Sequence, residues 1–196
     1  MLSFRKKHAK FWAEVFDLLV FLVLVFWILL FIRLFIATPY TVIWSSMAPN
    51  FYQKDRIIVE KITQRFGTFE RWDVIVFVAP WKTSPYIKRI IWLPGETVKI
   101  KDWWVQICDA EWENCEVLQE IYLPEWLQTK TKCGITEFRV YTWYFVMWDN
   151  RWFSTDSLCC FWLWCYDWAT YEVTDKDMIG RVLFRLFPNF GTDFYW

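Results

Sequence analysis

An unbroken apolar run near the N-terminus constrains the fold more than any other feature of the sequence. Leu18 to Ile32 contains no polar residue, and extending the run to Ala37 adds a single charge, Arg33. A helix of about twenty residues reaches about 30 Å, which is the thickness of the hydrocarbon core of a bilayer. Because no polar face interrupts the run, the pattern favours a membrane-spanning helix over a buried helix of a soluble protein.

Basic residues on one side of the run predict its orientation. Four of them precede it: Arg5, Lys6, Lys7 and Lys10. Basic flanks stay in the cytoplasm, so we expect the chain to leave the cytoplasm through this helix. Arg33 lies near the outer end, where its long side chain can reach the headgroups.

A cleaved signal peptide is the alternative explanation of this segment. Its cleavage site would need two small residues separated by one, but Phe35-Ile36-Ala37 carries a bulky residue there and Pro39 follows. We therefore expect a cytoplasmic basic segment at residues 1–14, an uncleaved transmembrane helix at 15–37 and an extracytoplasmic domain at 38–196. The protein would cross the cytoplasmic membrane once and contact the lipid bilayer directly.

The segment beyond residue 37 has the pattern of β-strands. Short β-branched or alternating runs are bounded by turn residues, and no long segment has a helical period. The six runs are Arg56–Val59, Asp73–Val78, Glu96–Lys101, Phe138–Tyr141, Tyr144–Met147 and Arg181–Phe187. We predict a mostly β domain built from coiled or barrel-like antiparallel sheets.

Charge and cysteine content narrow the possible functions. The formal net charge is zero, which gives no electrostatic reason to expect nucleic acid as a partner. Six cysteines lie in the external domain, where disulfides are expected, and fifteen complete pairings are possible. They are Cys108, Cys115, Cys133, Cys159, Cys160 and Cys165. A zinc site is disfavoured because there is no Cys-x-x-Cys and no histidine in the domain. No motif predicts a cofactor.

A serine and a lysine are the best candidates for catalysis. The only histidine, His8, precedes the apolar run, so the external domain cannot hold a Ser-His-Asp triad. Ser46 and Lys88 could instead form a Ser-Lys pair, a known variant of triad chemistry. Taken singly, a serine before Met-x-Pro is usually a turn residue and a lysine on a strand is usually solvated. Asp149-Asn150 alone would likewise be read as a tight turn.

Four segments, in this order, resemble the sequence boxes of type I signal peptidases. The first contains Ser46-Met47-Ala48-Pro49, the second begins at Arg71, the third contains Lys88-Arg89 and the fourth runs from Asp149 to Ser157. The resemblance covers roughly residues 11–188. One such segment would be weak evidence, but four in order after an N-terminal anchor favour a peptidase that removes signal peptides from secretory preproteins.

The resemblance implies a role for each residue that matches a box. Ser46 would attack the scissile carbonyl through an acyl-enzyme, and Lys88 would be the general base. Lowering the pKa of Lys88 by burial among apolar neighbours would make this possible. Among the supporting residues, Ser154 would orient Lys88, and Arg89 would form an ion pair with Asp156. The residues that would support the site or its oxyanion are Trp44, Ser45, Arg89, Asp149, Asn150, Arg151, Ser154 and Asp156. Residues that would bind a substrate with small side chains at positions −1 and −3 are Tyr40, Val42, Met47, Tyr86 and Ile87.

Several tryptophans stand at positions where the family has glycine. The chain has 17 tryptophans and 5 glycines, whereas glycine makes up about 7% of an average protein. The family has glycine at the positions of Trp44, Trp72, Trp92, Trp143 and Trp148, and two further pairs, Trp103-Trp104 and Trp162 with Trp164, lie in turn-like contexts. Glycine accepts positive φ and close backbone approach. We hypothesise that the source organism reads UGA as glycine and that these codons were translated as tryptophan.

Other interpretations follow if the tryptophans are genuine, or if the peptidase acts on a narrower range of substrates. Real indoles beside Ser46 would favour a catalytically inactive, membrane-tethered β domain that binds exported or envelope proteins. A related Ser-Lys peptidase dedicated to one envelope protein is a second alternative. A self-cleaving repressor with the same chemistry is disfavoured, because it would need a DNA-binding domain rather than an anchor.

Overall fold

The structure of the protein is a computed structural model that describes most of the chain. The described residues are 2–80, 82–109, 114–127, 129, 133–140, 142–152, 156–161 and 170–187, with side chains from residue 10 onward. Ser154, Trp162, Trp164 and Cys165 lie outside these ranges. The chain divides into two compact units, residues 1–38 and 39–196.

The first unit is helical. Helix α1 (Leu2–Phe31) leads into a single π-helical turn at Ile32–Ile36. The stretch Lys10–Ile36 is long and apolar enough to cross a membrane, and its apolar side chains are exposed. Helix α1 extends N-terminally beyond the predicted membrane span at 15–37, because the basic N-terminal segment contains neither glycine nor proline to stop it.

Six strands form the larger sheet of the second unit. They are β1 (Ala37–Thr41), β2 (Arg56–Glu60), β3 (Val74–Val78), β4 (Pro85–Trp92), β9 (Phe145–Met147) and β10 (Met178–Phe187), in the spatial order β1-β2-β10-β3-β4-β9. A short helix, α2 (Ile62–Phe66), follows β2. Gly180 lets β10 approach β2 closely, since a Cβ there would lie 1.8 Å from the carbonyl oxygen of Glu60.

Four strands form the smaller sheet. They are β5 (Thr97–Lys101), β6 (Trp104–Cys108), β7 (Cys115–Val117) and β8 (Glu137–Arg139), in the order β7-β6-β5-β8. All pairings within it are antiparallel. Its inner face packs Val98, Val105 and Phe138 against Phe145 and Trp92 of the larger sheet. The two sheets therefore share one hydrophobic cluster.

The predicted fold class is confirmed, because antiparallel strands follow one apolar helix. All six predicted runs contain a strand, namely β2, β3, β5, β8, β9 and β10. Strands β1, β6 and β7 were not predicted. Strand β4 lies in the segment around Lys88-Arg89, which was singled out as a motif and not predicted as a strand.

Disulfides form in the second unit. Cys108 pairs with Cys115 across the β6–β7 hairpin, and Cys133 pairs with Cys159. Cys160 is also disulfide-bonded. Among the described residues no cysteine is free, as expected for a domain that folds in an oxidising compartment.

Candidate active site

Ser46 lies on a single 3₁₀ turn, Ser45–Met47, between β1 and β2. The turn is held from below by the core. Met47 and Phe51 are fully buried with Val42 in one hydrophobic cluster, and the N–H of Phe51 donates to the carbonyl oxygen of Met47. Ser46 itself is 8% exposed. The turn thus places Ser46 at the edge of this hydrophobic cluster.

Lys88 lies in the middle of β4, opposite the buried Ile75 of β3. Its side chain is buried, with 1% exposure. The amine donates to the carbonyl oxygen of Ile87 at 2.9 Å, and it lies 4.2 Å from the ring centre of Trp148 and 5.1 Å from that of Tyr86. The described cover of the amine therefore includes these two aromatic rings.

This burial sets the chemistry of Lys88. Desolvation lowers the pKa of its amine well below 10.5, and the carboxylates of Asp156 and then Asp149 partly oppose that change. An ammonium loses more than a neutral amine when both leave water, so burial favours the neutral form. A lysine whose pKa is lowered in this way is a more available proton acceptor than a solvated lysine.

Ser46 and Lys88 line the same cavity, which has a volume of about 630 Å³. Within the part of the chain that the structure describes, no hydrogen bond joins their side chains. Predicted site residues in its wall, besides that pair, are Tyr40, Val42, Trp44, Tyr86 and Ile87. Met47, which was predicted to bind substrate, does not line the cavity. It is completely buried, because its long apolar side chain fills the core beneath the turn.

Asn150 connects the loop after β9 to the 3₁₀ turn that carries Ser46. Its backbone N–H donates to the carbonyl oxygen of Ser46 at 3.0 Å, and its side-chain amide donates to that of Ser45 at 3.3 Å. Both contacts bridge about a hundred residues of chain. Asn150 therefore holds the backbone of the turn that carries Ser46.

Arg89, next to Lys88 on β4, forms a buried ion pair with Asp149. Nε and Nη2 donate to the two carboxylate oxygens at 3.0 and 2.8 Å, and Nη1 donates to the carbonyl oxygen of Trp72 at 2.9 Å. The two side chains are 3% and 0% exposed. The predicted pairing of Arg89 with Asp156 is therefore wrong: the bidentate geometry of the guanidinium is used by Asp149.

Asp156 instead lies close enough to Lys88 for its charge to act on the lysine amine. Its carboxylate accepts the backbone N–H groups of Trp148 at 3.1 Å and Leu158 at 3.0 Å, and it is fully buried. It holds the backbone at Trp148, whose ring covers the lysine amine. Ser154, predicted to orient Lys88, lies outside the described residues.

A second group of polar residues consists of the predicted Arg151 and of Asn50, Glu120 and Tyr122, to which the sequence did not point. Asn50, just after the serine motif, donates to Asp149 at 2.7 Å and to the carbonyl oxygen of Tyr122 at 3.1 Å. Arg151 is buried and bonds to Glu120, Thr129 and the Tyr122 hydroxyl. Asn50 could have been suspected from its place beside the motif. Glu120 and Tyr122 lie between β7 and β8, where no motif marked them.

The tryptophans fall into distinct environments. Trp72 and Trp103 have φ of 78° and 70°, a backbone region that favours glycine. Trp92 and Trp148 bury their indole N–H groups without a hydrogen-bond partner among the described residues, although buried indoles usually have one. Trp44 is 75% exposed on extended backbone, which any residue can adopt.

No cluster of three or more metal-binding side chains is found in the described part of the chain.

Comparison with known proteins places most of the chain in one family. The family model "Signal peptidase, peptidase S26" matches residues 15–187. Signal peptidase I U of Bacillus subtilis (strain 168) is 36% identical over 132 residues, which are 64% of this chain and 67% of that protein. Signal peptidase I of Bacillus licheniformis is 32% identical over 79% of this chain and 81% of its own length. Signal peptidase IB of Staphylococcus aureus (strain COL) is 30% identical over 89% of this chain and 91% of that protein.

Proposed function

Because this chain belongs to the signal peptidase family of serine peptidases, peptidase S26, we propose that Ser46 and Lys88 are its catalytic dyad. Members of the family are membrane-anchored hydrolases that remove signal peptides from exported preproteins. The observation that carries the proposal is the burial of Lys88 at the wall of a cavity that it shares with Ser46. A buried, neutral amine is what a serine needs as a base when no histidine is present.

In the proposed reaction the Ser46 hydroxyl attacks the scissile carbonyl while the Lys88 amine takes its proton. The tetrahedral intermediate collapses to an ester on Ser46, and the Lys88 ammonium gives its proton to the leaving amine. Water then enters, Lys88 removes a proton from it, and the ester is hydrolysed. The backbone N–H of Ser46 would stabilise the oxyanion, with the turn fixed by Asn150.

The substrate is proposed to bind as an added strand. Within the described residues β9 pairs with β4 only from Arg89 onward, so the edge at Pro85–Lys88 is available beside the cavity. An extended preprotein segment could bond to this edge and present its scissile bond to Ser46. The cavity walls formed by Tyr86, Ile87 and Val42 are apolar and would accept small side chains at positions −1 and −3.

The membrane topology is part of the proposal. Residues 1–14 would be cytoplasmic, 15–37 would span the cytoplasmic membrane, and 38–196 would lie outside. The distribution of basic residues and the exposed apolar surface of Lys10–Ile36 support it. Such an anchor would hold the peptidase domain where signal peptides emerge.

We also propose that glycine is the natural residue at several of the tryptophan positions. The positive φ of Trp72 and Trp103 supports this, as do the unpaired indole N–H groups of Trp92 and Trp148. Glycine at 44 would widen the cavity beside Ser46. Glycine at 148 would remove one of the two rings over the Lys88 amine and leave the Tyr86 ring in place. Peptide mass spectrometry of the protein isolated from its source organism decides the matter: tryptophan found at 72 and 103 would refute the proposal.

Cleavage assays with single substitutions test the dyad. Ser46→Ala and Lys88→Ala should each abolish cleavage of a preprotein with alanine at −1 and −3, while Lys101→Ala, at an exposed lysine of strand β5, should remain active. Full cleavage by either dyad variant would refute the proposal. Competition between a general preprotein and single envelope proteins would reveal a peptidase dedicated to one substrate.

A further inference from the structure

The two proposed catalytic residues reach the cavity from separate parts of the chain, and one carboxylate connects them. On the lysine side, Arg89 follows Lys88 on β4 and bonds to Asp149 through two nitrogens. On the serine side, Asn50 lies in the loop that begins with the Ser46 turn and bonds to the same carboxylate at 2.7 Å. The separation of serine and lysine therefore depends on how firmly Arg89 and Asn50 are held on Asp149.

Tyr122 contacts both ends of this connection. Its ring lies 4.1 Å from the guanidinium carbon of Arg89, and its carbonyl oxygen accepts the amide of Asn50 at 3.1 Å. Its hydroxyl accepts a hydrogen bond from Arg151 at 2.9 Å and donates to Glu120. Tyr122 belongs to the segment between β7 and β8, so it joins the smaller sheet to the residues that place the dyad.

The ring and the hydroxyl have separable effects. A desolvated guanidinium against an aromatic face is attracted to it, and the ring also keeps water away from the Arg89–Asp149 pair. The hydroxyl completes the bonds of Arg151 and Glu120, which lie one step farther from Arg89. Loss of the ring should therefore loosen Arg89, whereas loss of the hydroxyl alone should not.

We propose that Tyr122 is a positioning residue that fixes the Ser46 loop relative to the β4 residues Lys88 and Arg89. The inference rests on the proposed dyad. A displacement of about 1 Å between reacting groups costs about a hundredfold in rate, so Tyr122→Leu should lower kcat by about tenfold to a hundredfold. KM should change little, because Tyr122 does not line the cavity. Tyr122→Phe, which keeps the ring, should stay close to the unmodified enzyme.

The test uses the full chain in phospholipid vesicles. Steady-state cleavage of a preprotein gives kcat and KM, and an acylating probe gives both the fraction of Ser46 that can be labelled and the rate of labelling. With Tyr122→Leu we expect complete labelling at a reduced rate. A merely structural role would instead lower the labelled fraction in proportion to kcat, and that result would overturn the proposal.

Tyr171 provides the matched control. Its ring packs on Phe138 and Phe145 in the cluster of the smaller sheet, and its hydroxyl donates to the carbonyl oxygen of Arg139. Tyr171→Leu removes a comparable ring and should leave kcat per labelled site unchanged. An unchanged kcat in Tyr122→Leu, or equal losses in the two leucine variants, would refute positioning by Tyr122. Ser46→Ala run in parallel separates the two ideas, because full activity in that variant would overturn the dyad and with it this proposal.

Discussion

Removing the Asp149 side chain should show how much the ion pair beside Lys88 contributes to the free energy of unfolding. Asp149→Ala deletes a carboxylate that accepts two bonds from Arg89 and one from Asn50. It leaves a guanidinium, 3% exposed, with the Trp72 carbonyl as its remaining hydrogen-bond acceptor among the described residues. Breaking a buried pair by removing one partner costs about 3–5 kcal/mol, because the other charge stays buried and unpaired.

The magnitude can be measured by thermal unfolding of the full chain in detergent micelles. Each kcal/mol shifts Tm by about 2–4 °C in a protein of this size, so Asp149→Ala should lower Tm by about 6–20 °C. The matched control is Glu137→Ala, which breaks the exposed Lys99–Glu137 pair, 32% and 49% exposed. That change should cost about 0–1 kcal/mol.

A double-mutant cycle tests the reasoning itself. Arg89→Leu alone should also destabilise, because Asp149 is then buried with one remaining donor. In the double variant no charge is left unpaired, so its loss should be clearly smaller than the sum of the two single losses. Strict additivity, or an Asp149→Ala loss no larger than that of Glu137→Ala, would refute the assignment of Asp149 as the partner of Arg89.

Two further predictions concern the lysine and the tryptophans. The rate of cleavage should rise with pH through the lowered pKa of Lys88, since only the neutral amine is a base. Asp156→Asn removes a charge that raises this pKa, so the rising limb of the pH–rate profile should move to lower pH. A move to higher pH would contradict the electrostatic role of Asp156. Trp103→Gly should raise Tm, because about 1–3 kcal/mol of strain at positive φ is relieved. Its neighbour Trp104, also about half exposed but in strand β6, is the control: Trp104→Gly should lower Tm, and a matching drop in both would argue against glycine at position 103.

The sequence predicted those parts of the fold that local pattern determines. Alternating or β-branched runs marked β2, β3, β5 and β10, since burial of one face requires a period of two. Strand β6 was missed because tryptophans and a glutamine break its pattern, and β7 because it has only three residues. Strand β6 is defined by its pairing with β5, and β7 by its pairing with β6 and by the Cys108–Cys115 disulfide. These are contacts that local sequence does not contain.

The site was predictable in its identities but not in its contacts. Motif order identified Ser46 and Lys88, and the structure places both at one cavity. The partner of Arg89 could not be chosen, because Asp149 and Asp156 lie close together in sequence and only the register of β9 on β4 brings Asp149 to the guanidinium. Tyr122 could not be predicted from the sequence either, because its contacts arise only when the segment between β7 and β8 packs against the loop after β9.

Trapping the acyl-enzyme tests the central claim most directly. The full chain in vesicles would be mixed with a preprotein, quenched in acid within the first turnover and digested, and the peptides would be mapped by mass spectrometry. We expect the signal-peptide fragment as an ester on Ser46, no ester in Ser46→Ala, and none in Lys88→Ala. Preprotein cleavage without an adduct on Ser46, or an adduct that forms equally well without Lys88, would contradict a Ser46/Lys88 dyad.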